Sequence, residues 1–595
     1  MNIILYNFDN FYKGCQEIIS GHLLDWYLII KYLDFDFLIK FFLDFFRFKV
    51  IVEINPTLEL LFPELILLLS ILSLLFLKPN KSYFIDYNFW FFELWKFCIL
   101  SLITYIFLKS IQLWKYPQIS VFLFNNYWFE DTFTIMIKIL LACCMLFTLG
   151  FSFFYSIITN NKKIKLRILF FLMFTIIFLF ALIMSFDLFG IYLCIEGLTL
   201  VLTTLIASNL TRISIESGLK YILLSAFSSC LLLLSIGLFV LFFGTTNLLT
   251  LKILINSYIL NPGNNFFFLS INIIFLKNIN YLLIFFFLSL LFKLSAWPCC
   301  FWVPDIYSGS PMPIIFFFAT TLKLIFFMFF IRFVFFTFFS YYFFLKTFFL
   351  IIAISTTGFG ILGSLFQNKL KIFIAFSGIS HIGLIFFALS SFNFIGIFSA
   401  IFYILFYISV TFILFGFILN INLISYHKTW GIKKFDILYI SDLKGIFFKQ
   451  KFYGSILIGI FLFLAGIPPF ISFFGKFWIY ITLYLDRQYT ALIFLFFLSL
   501  MSTFYYLWWV RSFIFDINKK RKNINYICFS FTSIDIYSNK YLLSSDIVKI
   551  SKIIRILFLF SVFFLFVYTP VNLLSIIDFI LILTKQILIL LDLGF

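Results

Sequence analysis

The sequence predicts an all-α polytopic membrane protein with about fourteen transmembrane helices, and three observations predict it. Hydrophobic residues make up 64% of the 595-residue chain and charged residues 11%, against roughly half and a quarter in a soluble domain. Apolar runs of about 20 residues recur along the chain, each long enough to cross ~30 Å of hydrocarbon. The runs are continuous rather than alternating, which selects helices over a closed barrel, the two structures that satisfy the backbone in lipid.

Taken in order, residues 1–55 form an N-terminal extension whose apolar stretches are broken by Asp34, Asp36, Lys40, Asp44, Arg47 and Lys49. That mixture reads as an interfacial or partner-contacting segment. Residues 56–157 hold three spans, near 59–77, 91–113 and 131–157. Residues 158–342 hold five, near 167–186, 188–208, 218–243, 280–301 and 313–337. Residues 343–515 hold five more, near 343–365, 371–390, 393–421, 453–484 and 489–514. A polar insertion at 516–550 precedes a C-terminal transmembrane helix within 551–595.

The formal net charge of +18 does not indicate nucleic acid. The basic residues sit in short loops such as "KKIKLR" at 162–167 and "KKRK" at 519–522, as membrane orientation requires. The nine cysteines are scattered, with no CxxC pair and no Cys/His spacing that fits a metal. They read as small apolar fillers. Three histidines in all leave haem, iron–sulfur and metal ligation little to stand on, so no cofactor or metal is expected on this chain. The N-terminus shows no cleavable targeting segment, since it carries acidic residues and lacks Arg- and Ser-rich character. One hundred phenylalanines, with abundant Ile, Asn and Lys, point to an AT-rich coding genome. Synthesis inside an organelle is the corresponding expectation.

Two spans differ from the rest. The run 280–301 contains Pro298 and the run 453–484 contains Pro468 and Pro469. Proline lacks the backbone donor and clashes with the preceding turn, so both helices should break within the membrane. Each carries a lysine beside its break, Lys293 and Lys476. Paired broken helices are the mark of inverted-repeat transporters that handle ions near the midplane. The expected repeats are five helices each, about 167–337 and 343–514.

Charges near span centres are few: Glu196, Lys220, Lys293, Lys323 and Lys476, with His381 as a further titratable group. A charge at a helix centre costs on the order of 3 kcal/mol, so each needs a reason. One reason is structural, with Glu196 pairing Lys220 and the end-lying Arg332 and Lys371 snorkelling to headgroups. The other is proton conduction. Loss of water favours a neutral amine and a nearby carboxylate favours the charged one. A carboxylate–lysine pair can therefore switch, whereas an arginine stays charged. The charges lie on at least five spans, so folding can align them across the bilayer.

Several motifs carry a resemblance. "FPELILLLSILSLLFL" at 62–77, "SIESGLKYILLSAFSSCLLLLSIGLFVLFFGTTNL" at 214–248, "LLFKLSAWPCCFWVPDIYSGSPMPIIFFFATTLKLIFF" at 291–327, "NKLKIFIAFSGISHIG" at 368–383 and "LAGIPPFISFFGKFW" at 464–478 resemble the antiporter-like membrane subunits of respiratory complex I. The details are similar to subunit 2 of NADH:ubiquinone oxidoreductase rather than to subunits 4 and 5. The resemblance implies that Glu196 and Lys220 modulate each other's protonation. It implies that Lys293 belongs to the first broken helix, that Lys323 passes protons along a central axis near His381, and that Lys476 leads to the exit side. One departure is "AFSGISH", where the family often reads "AYSSISH"; Phe376 and Gly378 then remove two hydroxyls and imply a drier local path.

The expected function is proton translocation as a membrane-arm subunit, driven by quinone reduction elsewhere in the complex. NADH, flavin, iron–sulfur clusters and ubiquinone are expected on other subunits. The expected partners are antiporter-like neighbours, small membrane-arm subunits and lipids, and the expected location is the mitochondrial inner membrane. Two alternatives stand beside this: a subunit of a multisubunit cation/proton antiporter, and a structural membrane-arm subunit whose relay is inactive.

Overall fold

The computed structural model describes residues 56–76, 87–115, 120–124, 126–158, 162–260, 266–429, 439–449, 451–468, 470–515 and 584. The expected extension at 1–55, the insertion at 516–550 and, but for residue 584, the final span lie outside the described residues. Ten helices among the described residues are long and apolar enough to cross a membrane. Four shorter apolar helices stand beside them: Leu60–Leu72, Leu248–Ser257, Ile279–Leu294 and Gly454–Ala465.

In chain order the helices used below are α1 (Pro56–Phe76), α2 (Tyr87–Lys115), α3 (Thr132–Ile158), α4 (Lys162–Met184), α5 (Leu188–Ile206), α6 (Arg212–Phe243), α7 (Leu248–Leu260) and α8 (Phe266–Leu294). There follow α9 (Trp302–Gly309), α10 (Met312–Phe317), α11 (Lys323–Thr337), α12 (Tyr342–Leu365), α13 (Leu370–Leu389), α14 (Phe394–Thr429), α15 (Lys451–Ala465), α16 (Ile471–Leu485) and α17 (Tyr489–Phe515). A π-helical turn, Phe318–Leu322, joins α10 to α11. The stretch Met312–Thr337 is buried throughout. Its sequence explains this: it is apolar all round, which suits a helix enclosed by other helices. By contrast α6 turns Leu223, Phe227 and Leu241 outward, as a lipid-facing helix does.

Both expected interruptions are present. Helix α8 ends at Leu294 and regular structure resumes at α9; α15 ends at Ala465 and α16 begins at Ile471. Pro469 lies outside the described residues. Two features were not expected from sequence. The first is the short helix α7. The second is an antiparallel hairpin, β1 (Ser120–Leu123) and β2 (Trp128–Asp131), between α2 and α3. Four-residue strands of mixed apolar character give too short an alternation to register against the surrounding apolar runs.

The hairpin anchors a buried ionic cluster. Glu130 Oε1 accepts hydrogen bonds from Lys109 Nζ of α2 at 2.6 Å and from Lys138 Nζ of α3 at 2.8 Å, with all three side chains fully buried. The next residue, Asp131, caps α3 by accepting from the Thr134 amide at 2.8 Å. It also lies 3.6 Å from Arg332 Nη2. Arg332 donates to the Ile183 carbonyl at 2.7 Å and lies over the Phe129 and Phe186 rings. The expected snorkelling of Arg332 is therefore corrected: the hairpin covers it and supplies its carboxylate. Lys371 likewise turns inward and donates to the Ser310 carbonyl at 2.9 Å.

Helices α12 and α13 approach closely where small residues face each other, the packing device of helices in lipid. A Cβ on Gly360 of α12 would stand 2.5 Å from the Ser380 amide nitrogen and 2.8 Å from the Phe376 carbonyl oxygen. Both are backbone atoms, so the helices themselves would have to part.

Gly360→Ala is expected to destabilise the fold by about 1–3 kcal/mol through overpacking. Gly237→Ala, where a Cβ meets nothing within 4 Å, is expected to be neutral or to stabilise α6 by up to ~1 kcal/mol. Thermal unfolding midpoints of the two purified variants should therefore move in opposite directions or differ clearly. Glu130→Gln removes the carboxylate shared by two buried ammonium groups and is expected to cost about 3–5 kcal/mol. A denaturation midpoint unchanged from the parent chain would contradict the cluster.

Candidate functional site: a line of buried charges between two helix breaks

The first break is organised by its own freed backbone. After α8 ends, the Ser295 amide donates to the Phe292 carbonyl at 3.1 Å and the Ala296 amide to the Leu291 carbonyl at 3.0 Å. The indole of Trp302 donates to the same Phe292 carbonyl at 3.1 Å. Ser295 takes a left-handed conformation, φ 57°, and the Trp297–Pro298 peptide is cis. Lys293 sits in the last turn of α8 with its amine buried and, among the described residues, without a hydrogen bond. Aromatic rings stand by it: the amine lies 5.9 Å from the Tyr221 ring centroid and 5.2 Å from that of Phe292. Such cation–π contacts stabilise an ammonium in a dry site.

The carboxylate that acts electrostatically on Lys293 is Glu196 of α5. One Glu196 oxygen, Oε2, is buried without a hydrogen-bond partner. The suggested pairing of Glu196 with Lys220 is not what the structure forms. Lys220 Nζ instead lies 2.9 Å from Glu216, one turn earlier on α6, and 3.1 Å from Asp305 of α9. The Lys220 side chain is 47% exposed, so it stands on the outward side of α6 and apart from the buried line. The reason is angular: Glu196 and Tyr221 belong to the faces of α5 and α6 that meet Lys293, and Lys220 precedes Tyr221 by one residue, about 100° around the helix.

Lys323 opens α11, directly after the π-helical turn, a feature that often marks functional positions in helices. A cavity of about 20 Å³ is lined by both Lys293 and Lys323, together with Tyr221, Ser295 and Tyr307. That volume admits about one water molecule. On its other side the Lys323 amine donates to the Tyr407 hydroxyl of α14 at 3.2 Å.

His381 of α13 is buried, with both ring nitrogens engaged. Nδ1 is 2.7 Å from the Tyr403 hydroxyl and Nε2 is 3.2 Å from the Tyr506 hydroxyl. Its ring centroid lies 5.0 Å from that of Tyr407. Lys323 and Lys476 both act electrostatically on it.

At the second break, Lys476 of α16 reaches back to the end of the preceding half-helix. Its amine donates to the Ala465 carbonyl at 2.7 Å. Gly466 takes φ +74° there, and a Cβ on it would stand 2.9 Å from Lys476 Nζ. A helix C-terminus carries unpaired carbonyls and partial negative charge, so it is a natural seat for a cation. Pro468 follows in the same turn, outside any helix.

Of the expected residues, Lys293 and Lys323 border one cavity and Tyr407 contacts both Lys323 and His381, while Glu196 and Lys476 are linked to this buried group by charge alone. Lys220 does not join it. Sequence reading missed Tyr221, Tyr403, Tyr407 and Tyr506, which fill the gaps between the charges, and Glu216 and Asp305, which hold Lys220. Tyr403 and Tyr407 are spaced to share a helix face, but in a chain with 31 tyrosines that spacing carries no signal by itself.

Comparison with known proteins gives the family. The family model described as "NADH:quinone oxidoreductase/Mrp antiporter, TM" matches residues 185–502, more than half of the chain. The chain is 26% identical over 476 residues to NADH-quinone oxidoreductase subunit N of Ruthia magnifica subsp. Calyptogena magnifica, covering 80% of this chain and 91% of the relative. It is 28% identical over 342 residues to NADH-ubiquinone oxidoreductase chain 2 of Marchantia polymorpha, covering 57% of this chain and 65% of the relative. In fold it is similar to a chain of respiratory complex I from Thermus thermophilus, with a TM-score of 0.58 at 20% identity, covering 77% of this chain and 91% of that one. The match of this family model over more than half of the chain, on the stretch that carries both helix breaks, makes the chain a member of the NADH:quinone oxidoreductase/Mrp antiporter transmembrane family.

Proposed function

We propose that the chain is the proton-translocating, antiporter-like subunit 2 of the membrane arm of an NADH:quinone oxidoreductase. The observation that carries the reading is the buried contact sequence in which Lys293 and Lys323 border one water-sized cavity and Tyr407 touches both Lys323 and His381. Glu196 and Lys476 flank it, and each of these five charged or titratable groups can gain or lose a proton. Relatives named as subunit N and chain 2 support the subunit assignment.

In this reading, quinone reduction occurs elsewhere in the assembly, and NADH, flavin, iron–sulfur clusters and ubiquinone belong to other subunits. This chain supplies the conduit. Lys293 and Glu196 form the first station, where the carboxylate sets how firmly the amine holds its proton. Lys323 receives from Lys293 across the cavity. Lys476 is the last station, held by the carbonyl end of α15. Helices 167–337 and 343–514 act as the two inverted repeats of a fourteen-span fold, each contributing one break. Phenylalanine-rich composition and the plant chain 2 relative support an organelle-encoded protein of the mitochondrial inner membrane.

The family also includes Mrp antiporters, which keeps a cation/proton antiporter subunit as the second reading. Sodium-dependent proton exchange without NADH oxidation would favour it.

Lys293→Met in the assembled complex is expected to lower NADH-driven proton uptake by about tenfold or more, the scale of a lost acid–base group. Electron transfer from NADH to an artificial acceptor should persist. Unchanged proton movement per NADH would remove the relay reading.

A further inference from the structure

Lysine has a flexible four-carbon stem and a charge that its own helix does not position. Lys323 is buried, and its amine lies between two environments: the small cavity it shares with Lys293, and the wall formed by α13 and α14. On that wall the Tyr407 hydroxyl holds the amine at 3.2 Å, and the amine lies 5.0 Å from the Tyr407 ring centroid. The same ring stands beside His381. One rigid side chain therefore touches both the lysine and the histidine.

Glycine at position 378 leaves the room that this contact fills. A Cβ there would stand 2.7 Å from Lys323 Nζ and 2.9 Å from Tyr407 Oη. Any side chain at 378 would occupy the space where amine and phenol meet.

We propose that Tyr407 is the positioning residue for Lys323, seated in the space that Gly378 leaves, and that this three-residue contact holds the amine towards His381 rather than towards Lys293. The inference rests on the proton-relay reading and adds to it the residues that decide which way the central lysine faces. Without the phenol, the amine's remaining polar surroundings are the cavity, and its flexible stem lets it swing there beside a second lysine. Serine at 378 in the parent chain would crowd the contact. In a chain lacking the phenol oxygen, the same serine would offer a hydroxyl to the same amine.

The test is a two-by-two cycle in the assembled complex: Tyr407→Phe, Gly378→Ser and the double variant. Each single change is expected to slow coupled proton movement about tenfold, the scale of one hydrogen bond to a charged group. Each should also alter the pH profile of turnover, whose local titratable and charged groups are Glu196, Lys293, Lys323, His381, Lys476 and the hydroxyls of Tyr221, Tyr307, Tyr403, Tyr407, Tyr505 and Tyr506. The double variant is expected to recover most of the rate and the parent profile, a strong non-additivity between contacting positions. A Tyr407→Phe variant with parent rate and profile overturns the proposal. So does a double variant no better than the worse single one. If a single change lowers the amount of assembled complex instead, assembly becomes the readout of the same cycle, and failure of the double variant to restore it is equally decisive against the proposal. Loss of pumping in Lys293→Met alongside a flat Tyr407–Gly378 cycle would sink this inference alone, whereas pumping that survives Lys293→Met sinks the relay reading beneath it.

Discussion

Hydrocarbon offers no hydrogen bonds, so every backbone group exposed by a broken helix must find its partner inside the protein. This constraint organises the centre of the molecule. At the first break the Phe292 carbonyl is claimed by the Ser295 amide and the Trp302 indole. At the second, the Ala465 carbonyl is claimed by the ammonium of Lys476. The breaks thus answer their own cost differently. Both use neutral donors, the Gly466 amide serving the Leu462 and Phe463 carbonyls at the second; the second adds its lysine as a donor, while the first leaves its lysine among aromatic rings.

That difference distinguishes the surroundings of the two lysines. Lys293 has a cation–π environment, a nearby carboxylate and a cavity, while Lys476 has a fixed carbonyl at the negative end of a half-helix dipole. Between them stand Lys323 and His381, held by tyrosine hydroxyls from α14 and α17. Phenols suit this place because they are rigid, carry one polar atom on a large apolar body, and act as donor or acceptor. The space beside Gly378 is taken by the Lys323–Tyr407 contact.

A second group of buried charges, away from the line, has a structural character. Glu130 binds two lysines and Asp131 faces Arg332, so two adjacent residues of one strand tie the hairpin to α2, α3 and α11. Arg332 and Lys323 share α11, and the hairpin thereby helps fix the helix that carries the central lysine. Arginine's permanent charge fits an anchor as lysine's variable one fits a relay.

The membrane class, the two interruptions and the buried Lys293, Lys323 and Lys476 were legible in the sequence because each is a local violation of a strong rule: apolar length, helix continuity, and the exclusion of charge from lipid; Lys109 and Lys138, also buried, were not singled out. Partnership was not legible. Lys220 reads as a partner for Glu196 until α9 brings Asp305 to it, and Arg332 reads as a headgroup contact until the hairpin covers it. The tyrosines carry no charge and break no rule, so nothing in the sequence separates Tyr407 from the others. What the sequence determined by itself is which residues lipid would reject; the tertiary structure alone decided which of them face one another, because the angle of each side chain around its helix and the packing of distant helices select the partner.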